Sequence, residues 1–201
     1  MKEIILQDLS RIAMACVDMP SGMGHKGFEG NGTPYLRFLY CFAKEFKPEL
    51  IIECGVHMGT ATEHMALANP DGLVIGIDKN FHNAAYNVVR RQANVRYVHG
   101  NTLEVYEHVM MLADELPLEL LFLDSEHDGI TPLKELETYE PLMGKQCLVA
   151  CDDIHYNTEM EAWWDDVRNP KMELNYLHLV PAPVVQAPTP YTGFGVFIVE
   201  R

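Results

Sequence analysis

Basic residues are scarce in this chain: 15 Lys and Arg stand against 29 Asp and Glu, for a formal net charge of −14. Binding a polyanion requires clustered cations on its phosphates, so neither DNA nor RNA is an expected partner. Long hydrophobic runs are missing too, and none approaches the about 18 apolar residues of a membrane-spanning helix. The amino terminus, MKEIILQDLSRIAMACVDMP, carries acidic residues inside its apolar pattern and has no signal-peptide core. The expectation is a soluble, unexported, cytoplasmic protein with no membrane partner. Its five cysteines, Cys16, Cys41, Cys54, Cys147 and Cys151, show no C-x-x-C spacing. Three of them sit in strand-like runs, where a thiol behaves as a small apolar group, which fits a reducing compartment better than a metal or redox role. The glycine turn in ECGVHMG is E-x-G-x-x-x-G and not the G-x-G-x-x-G of dinucleotide binding, and the absence of a G-K-[ST] phosphate loop argues against a nucleoside triphosphate ligand.

What is present points to one domain. With 201 residues and 48% hydrophobic content, the chain can bury one sizeable core and is too short for two ordinary domains with a linker, so residues 1–201 are read as a single unit. Ile4, Ile5, Leu9, Ile12, Ala13 and Cys16 recur at helical spacing, and a second helix is expected at Tyr35 to Phe46. Between them, residues 20–34 hold five glycines and two prolines and read as a loop that either closes over a site or serves as a linker. From residue 48 onward, short apolar runs alternate with amphipathic ones: ELIIECG, LVIGID, VRYVHG, LELLFLD and QCLVACDD are separated by helical stretches. Nearly all-apolar strands between helices imply an α/β, doubly wound, mostly parallel sheet. NYLHLVPAP and GFGVFIVER, joined by a Pro-rich connection, suggest an antiparallel strand pair at the carboxyl end.

In such a sheet, ligands bind beyond the carboxyl ends of the strands. Those ends are polar here. In ELIIECGVHMGTAT, Gly55 and Gly59 let the backbone turn and approach a ligand, and Thr60 and Thr62 open the next helix beside its free amides. Asp78 ends LVIGID about twenty residues beyond that turn, where a carboxylate can accept hydrogen bonds from a ribose diol. Together these features favour a nucleoside ligand over a plain helix cap at Asp78. A third signal is LFLDSEHDG, in which an apolar strand breaks directly into Asp124, Glu126, His127 and Asp128. Unpaired charge beside a core costs several kcal/mol, so this cluster either caps the next helix in solvent or faces something that compensates it.

ECGVHMGTAT, GLVIGID, the FLD strand end and the CLVACDD strand resemble, in order and spacing, the class I S-adenosylmethionine-dependent methyltransferases. The resemblance spans roughly residues 48–200 and implies a seven-stranded Rossmann-like fold, with residues 1–47 as amino-terminal helices and residues 48–201 as the cofactor-binding core. It places Glu53, Gly55, Gly59 and Thr60 along the methionine part of S-adenosylmethionine and Asp78 on the ribose. Asn101 stands near the adenine, where the family often has an acid; an amide can still hydrogen-bond the adenine amine. Asp124 would border both the cofactor and the reaction centre.

The chain is further similar to the metal-dependent O-methyltransferases of the catechol type and the macrocin or mycinamicin sugar type. By that resemblance Asp124, Asp152 and Asp153 would hold a magnesium ion, which relieves the repulsion among three carboxylates. HDGITPLKELETYEPL resembles the D-x-D-H-x-Y-x-x-V-x-x-D-L-x-x-x-x-P-L region of the sugar branch, in which His127 would be the general base. The implied reaction is methyl transfer to a hydroxyl of a small molecule. The alternatives are a metal-independent methyltransferase on the same fold and a non-catalytic S-adenosylmethionine-binding or sensing protein. His155 in CDDIHY is either a substrate contact or a surface-loop histidine, and His57 reads as a local hydrogen-bonding residue. Trp163 and Trp164 read as the packed face of a helix. The amino-terminal helices either cover the sheet or pair with a second copy in a homo-oligomer.

Overall fold

A computed structural model describes residues 3–15, 35–174 and 192–201. The glycine-rich stretch 20–34, the strand expected at NYLHLVPAP and most of the Pro-rich loop 181–192 lie outside the described residues.

Two helices come first, α1 (Leu6–Ala15) and α2 (Tyr35–Phe46). The core then alternates through β1 (Leu50–Cys54), α3 (Thr60–Ala68), β2 (Leu73–Asp78), α4 (Asn83–Arg91), β3 (Val95–His99), α5 (Tyr106–Ala113), β4 (Leu118–Leu123) and α6 (Thr131–Tyr139). A short 3₁₀ turn leads into β5 (Met143–Asp152), α7 (Thr158–Asp166), β6 (Lys171–Glu173) and β7 (Phe194–Glu200). The strands form one sheet in the order β3-β2-β1-β4-β5-β7-β6, the seven-stranded Rossmann-like arrangement expected from the alternating pattern. All pairs from β3 to β5 are parallel. β7 runs antiparallel between β5 and β6. Its described edge partner is therefore the three-residue Lys171–Glu173, which precedes the segment the sequence suggested.

Each central strand serves two cores because successive side chains alternate across the sheet. Ile51 of β1 and Phe122 of β4 face one side, where they meet Phe38, Leu39 and Phe42 of α2. Ile52 and Leu121 face the other, against Val109, Tyr139 and Met160 from α5, α6 and α7. Trp163 and Trp164 are buried in that second core, as their helical spacing implied. Helix α2 buries Phe38, Leu39, Phe42 and Phe46, an i, i+4 ladder in which Phe42 and Phe46 stack at 4.9 Å. With α1 it covers one face of the sheet; Arg11 pairs with Glu45, and Gln146 of β5 accepts the Ile4 amide at 2.8 Å. β1 pairs with β2 on one side and β4 on the other, so the chain reverses direction of travel between them. That switch point opens a crevice at the carboxyl ends of the strands.

Candidate active site

The crevice holds a cavity of about 310 Å³ whose wall includes Gly55, Asp78, Asn101, Thr102, Asp124 and Ser125. Gly55 is required by geometry: its φ is +90°, and a Cβ there would lie 2.0 Å from the Asp124 carbonyl oxygen. The β1 turn thus lies directly against the β4 turn. Asp78 binds that turn from below. Its Oδ2 accepts the Val56 and His57 amides at 2.9 and 2.8 Å, and its Oδ1 accepts the Asn80 amide at 2.7 Å. Burial pushes the Asp78 carboxyl up, but the amides of Asn80, His57 and Val56 outweigh it and hold the pKa below the usual carboxylate value. The group is an anion with lone pairs to spare, suited to a diol. His57 contributes its backbone amide here, in keeping with a local hydrogen-bonding role.

Glu53, Gly59 and Thr60 stand outside the cavity wall. Glu53 is fully buried and accepts the Thr62 hydroxyl, so it fastens β1 to α3 beneath the turn. Burial raises its pKa well above the usual carboxylate range, with the Thr62 bond opposing and Asp124 and Asp78 adding to the rise. Thr62 thus points into the fold instead of capping α3. Gly59 caps the helix with backbone alone, in the left-handed conformation. Thr60 is exposed, and its carbonyl meets His64 Nδ1 at 2.6 Å. Asn101 lines the cavity, and its Oδ1 accepts the Leu103 amide at 3.1 Å.

Beyond the cavity, the ends of β4 and β5 bring charge together. His127 Nε2 lies 3.7 Å from Asp124 Oδ1 and 3.3 Å from Asp153 Oδ2, with the histidine 23% exposed and each aspartate 24%. Asp153 follows β5 in a left-handed conformation at φ 58°, which non-glycine residues adopt at a cost. Asp152, the last residue of β5, is buried beside it. Asp124 raises the His127 pKa against the effect of burial, and Asp153 and Asp152 reinforce it. Burial in turn raises the Asp124 carboxyl, partly offset by His127. The helix-capping reading of LDSEHDG holds for Asp128, whose carboxylate accepts the Ile130 and Thr131 amides at 3.0 and 2.6 Å. Asn157 secures the cluster by donating to the His127 carbonyl at 2.6 Å while capping α7 through Met160.

The donor set, carboxylate oxygens at two adjacent strand ends, has the chemistry a hard divalent cation selects. Among the described residues, no three His, Cys, Asp or Glu side chains already stand as a metal cage, and His127 Nε2 occupies the point on which Asp124 and Asp153 converge. His155 is turned to other partners, with Nε2 3.1 Å from Glu173 Oε2 and Nδ1 3.5 Å from Glu161 Oε1.

A family model described as Rhamnosyl O-methyltransferase/CmcI matches residues 40–181. The chain belongs to this family. It is thereby a member of the S-adenosylmethionine-dependent methyltransferases, as the strand-end motifs implied. No curated protein matches the chain. Solved structures with the same fold include a putative caffeoyl-CoA O-methyltransferase from Staphylococcus aureus, at 17% identity and TM-score 0.64, covering 100% of this chain and 94% of that one. Another is the O-methyltransferase TomG from Streptomyces achromogenes, solved in complex with S-adenosylmethionine, at 16% identity, TM-score 0.63 and coverages of 99% and 91%. A third is the S-adenosylhomocysteine-bound methyltransferase PaMTH1 from Podospora anserina, at 13% identity, TM-score 0.60 and coverages of 100% and 98%.

Two aromatic residues beside this charged cluster carried no functional signal in the sequence. Tyr35, ahead of the matched span, donates its hydroxyl to Asp124 Oδ2 at 3.3 Å while its ring stacks on Phe194 at 5.0 Å. Tyr156 is 60% exposed with its ring 5.4 Å from that of His127. A tyrosine at the start of an apolar helix reads as core, and one in a short loop reads as surface. Only the folded chain brings them to the carboxylates.

Proposed function

We propose that this protein transfers the methyl group of S-adenosylmethionine to a hydroxyl of a small molecule, with magnesium held by Asp124, Asp152 and Asp153 and with His127 as the base. The observation that carries this reading is the meeting of Asp124, His127 and Asp153 at the rim of the crevice that Asp78 and Gly55 line. In it, Asp78 accepts from the ribose diol, Asn101 hydrogen-bonds the adenine, and Gly55 lets the backbone lie close to the methionine part. Glu53, Gly59 and Thr60 lie along the same methionine part, with Glu53 also fastening β1 to α3 through the Thr62 hydroxyl. The acceptor hydroxyl loses its proton to the His127 imidazole, and its oxygen attacks the methyl carbon in line with the sulfonium. The S–CH₃ bond breaks as the O–CH₃ bond forms, and the electron pair stays on sulfur in S-adenosylhomocysteine. Orientation of donor and acceptor supplies much of the rate. A magnesium ion held by Asp124, Asp152 and Asp153 would supply the Lewis acidity that lowers the pKa of the acceptor hydroxyl.

This reading takes residues 1–201 as one cytoplasmic domain and the acceptor as a sugar or natural-product precursor with vicinal oxygens. A polyanionic acceptor is disfavoured by the net charge of −14. A second reading, metal-free transfer in which His127 or Asp124 acts alone, is favoured by the position of His127 Nε2 between the two carboxylates.

Calorimetric titration of S-adenosylmethionine and of magnesium separates these readings. Cofactor binding, together with magnesium binding that Asp152→Ala, Asp153→Ala abolishes, supports the metal-assisted mechanism. Cofactor binding with no metal site leaves the metal-free reading, or a sensor if no hydroxylated acceptor is turned over. Absence of cofactor binding refutes all of them.

A further inference from the structure

Helix α6 is amphipathic, yet one of its acids is turned the wrong way. Glu135 is 1% exposed, while Glu137, two residues on, faces solvent. A buried carboxyl is costly unless hydrogen-bonded, and Glu135 is bonded twice through one atom. Its Oε1 accepts the Thr102 hydroxyl at 2.5 Å and the Ser125 hydroxyl at 2.6 Å. These two hydroxyls come from different loops, the one after β3 and the one after β4, and both residues line the cavity at the switch point. One turn further along α6, Tyr139 donates to the Thr102 carbonyl at 2.6 Å, so the helix holds the same residue by side chain and by backbone. Ser125 in turn abuts the β1 turn, where a Cβ on Gly55 would lie 2.8 Å from the Ser125 Cα.

We propose that Glu135 is a positioning residue for the cofactor: by gathering the Thr102 and Ser125 hydroxyls onto one buried oxygen, it sets the width of the crevice in which the nucleoside end of the cofactor lies. The inference rests on the cofactor reading of that crevice. Neither residue's hydroxyl proton is then free for the ligand, since both are committed to Oε1. The wall on either side of the cavity, Asn101 to Leu103 and Asp124 to Ser125, is held at a fixed separation before the ligand arrives, and preorganisation of this kind raises affinity by removing an ordering cost. Burial, opposed by the two hydroxyl bonds, pushes the Glu135 carboxyl up to about 7.

The test is titration of S-adenosylhomocysteine into the full chain by calorimetry, at pH 8 and well below the melting temperature of each variant. Glu135→Met keeps the packing volume and removes the acceptor, whereas Glu135→Gln keeps an oxygen where both hydroxyls can reach it. The expected result is a loss of tenfold or more in affinity for Glu135→Met and less than threefold for Glu135→Gln. Adding Glu135→Met to a Thr102→Val, Ser125→Ala background is expected to cause no further loss, because the bonds are already gone. If Glu135→Met does not fold, that hydroxyl double variant removes the same bonds from the other side and must itself lose tenfold. Unchanged affinity in a folded Glu135→Met, or equal losses in the Met and Gln variants, overturns the proposal while leaving the cofactor reading intact. No binding by the wild-type chain overturns both.

Discussion

Glu135 also supplies a stability prediction that needs no ligand. Its carboxyl titrates near 4.5 when unfolded and is pushed up to about 7 in the fold, chiefly by burial. Between those values the native state keeps a proton that the unfolded chain has released. Stability from this group is therefore fully present below about pH 4.5 and lost as the pH rises through about 7. At about 1.4 kcal/mol per pKa unit, the loss between pH 5 and pH 8 is roughly 2 to 3 kcal/mol. Glu135→Gln removes the titration, so its stability relative to wild type should rise by that amount over the same interval. In a chain of this size each kcal/mol moves the melting temperature by about 2–4 °C, giving a relative shift of roughly 4 to 12 °C. Urea unfolding of both proteins at pH 5, 6, 7 and 8 measures it directly. Other groups, such as Glu53 and Asp124, titrate alike in both proteins and cancel in the difference. Parallel pH profiles for wild type and Glu135→Gln would refute a carboxyl held up by burial.

Three further outcomes are expected. Gly55→Ala should destabilise by more than about 4 kcal/mol, because its Cβ has only backbone atoms to displace, whereas Gly59→Ala, which meets the Tyr97 hydroxyl first, should cost clearly less; equal costs in urea melts would contradict this. Asp78→Ala should weaken S-adenosylhomocysteine binding at least tenfold and also lower stability by about 1–3 kcal/mol, since three backbone amides lose their acceptor; unchanged binding would remove Asp78 from the cofactor site. Tyr35→Phe should cost only about 1 kcal/mol, the worth of one long hydrogen bond, while Tyr35→Ala should cost about 3–5 kcal/mol by emptying the space against Phe122 and Phe194; similar melting temperatures for the two would show that the ring does not anchor α2.

Legibility in the sequence followed the dimensionality of the signal. β1, β2, β4 and β5 could be read because strands buried on both faces appear as unbroken apolar runs. Lys171–Glu173 could not, since three residues are too few for alternation to be diagnostic, and its strand character comes from pairing with β7. The strand-end positions of Asp78, Asp124 and Asp153 were legible because charge directly after an apolar run is a one-dimensional pattern. Thr62 was misassigned as a helix-opening hydroxyl because nothing in GTATEH says that Glu53, nine residues earlier, will lie beneath it. Glu135 reads as one more charge on a solvated helix face, and its role depends on where Thr102 and Ser125 arrive, 33 and 10 residues away in the chain.

The construction of the charged centre explains why its parts are so widely spread. Asp124 is fixed by its own backbone, which donates to the Cys54 carbonyl at 2.8 Å, so its position depends on the β1–β4 pairing. Its two carboxylate oxygens are then divided, Oδ2 toward the Tyr35 hydroxyl and Oδ1 toward His127. Tyr35 is in turn held by Phe194, the residue that pairs with Asp152 in the β5–β7 register. The amino-terminal helix, the central strands and the antiparallel carboxyl-terminal strand therefore meet at a single carboxylate. A core defined by residues 40–181 contains Asp124, His127 and Asp153 but neither Tyr35 nor Phe194. The orientation of the Asp124 carboxylate is thus set by segments on both sides of the span that carries the family pattern, and a chain trimmed to that span would keep the acids while losing what aims them.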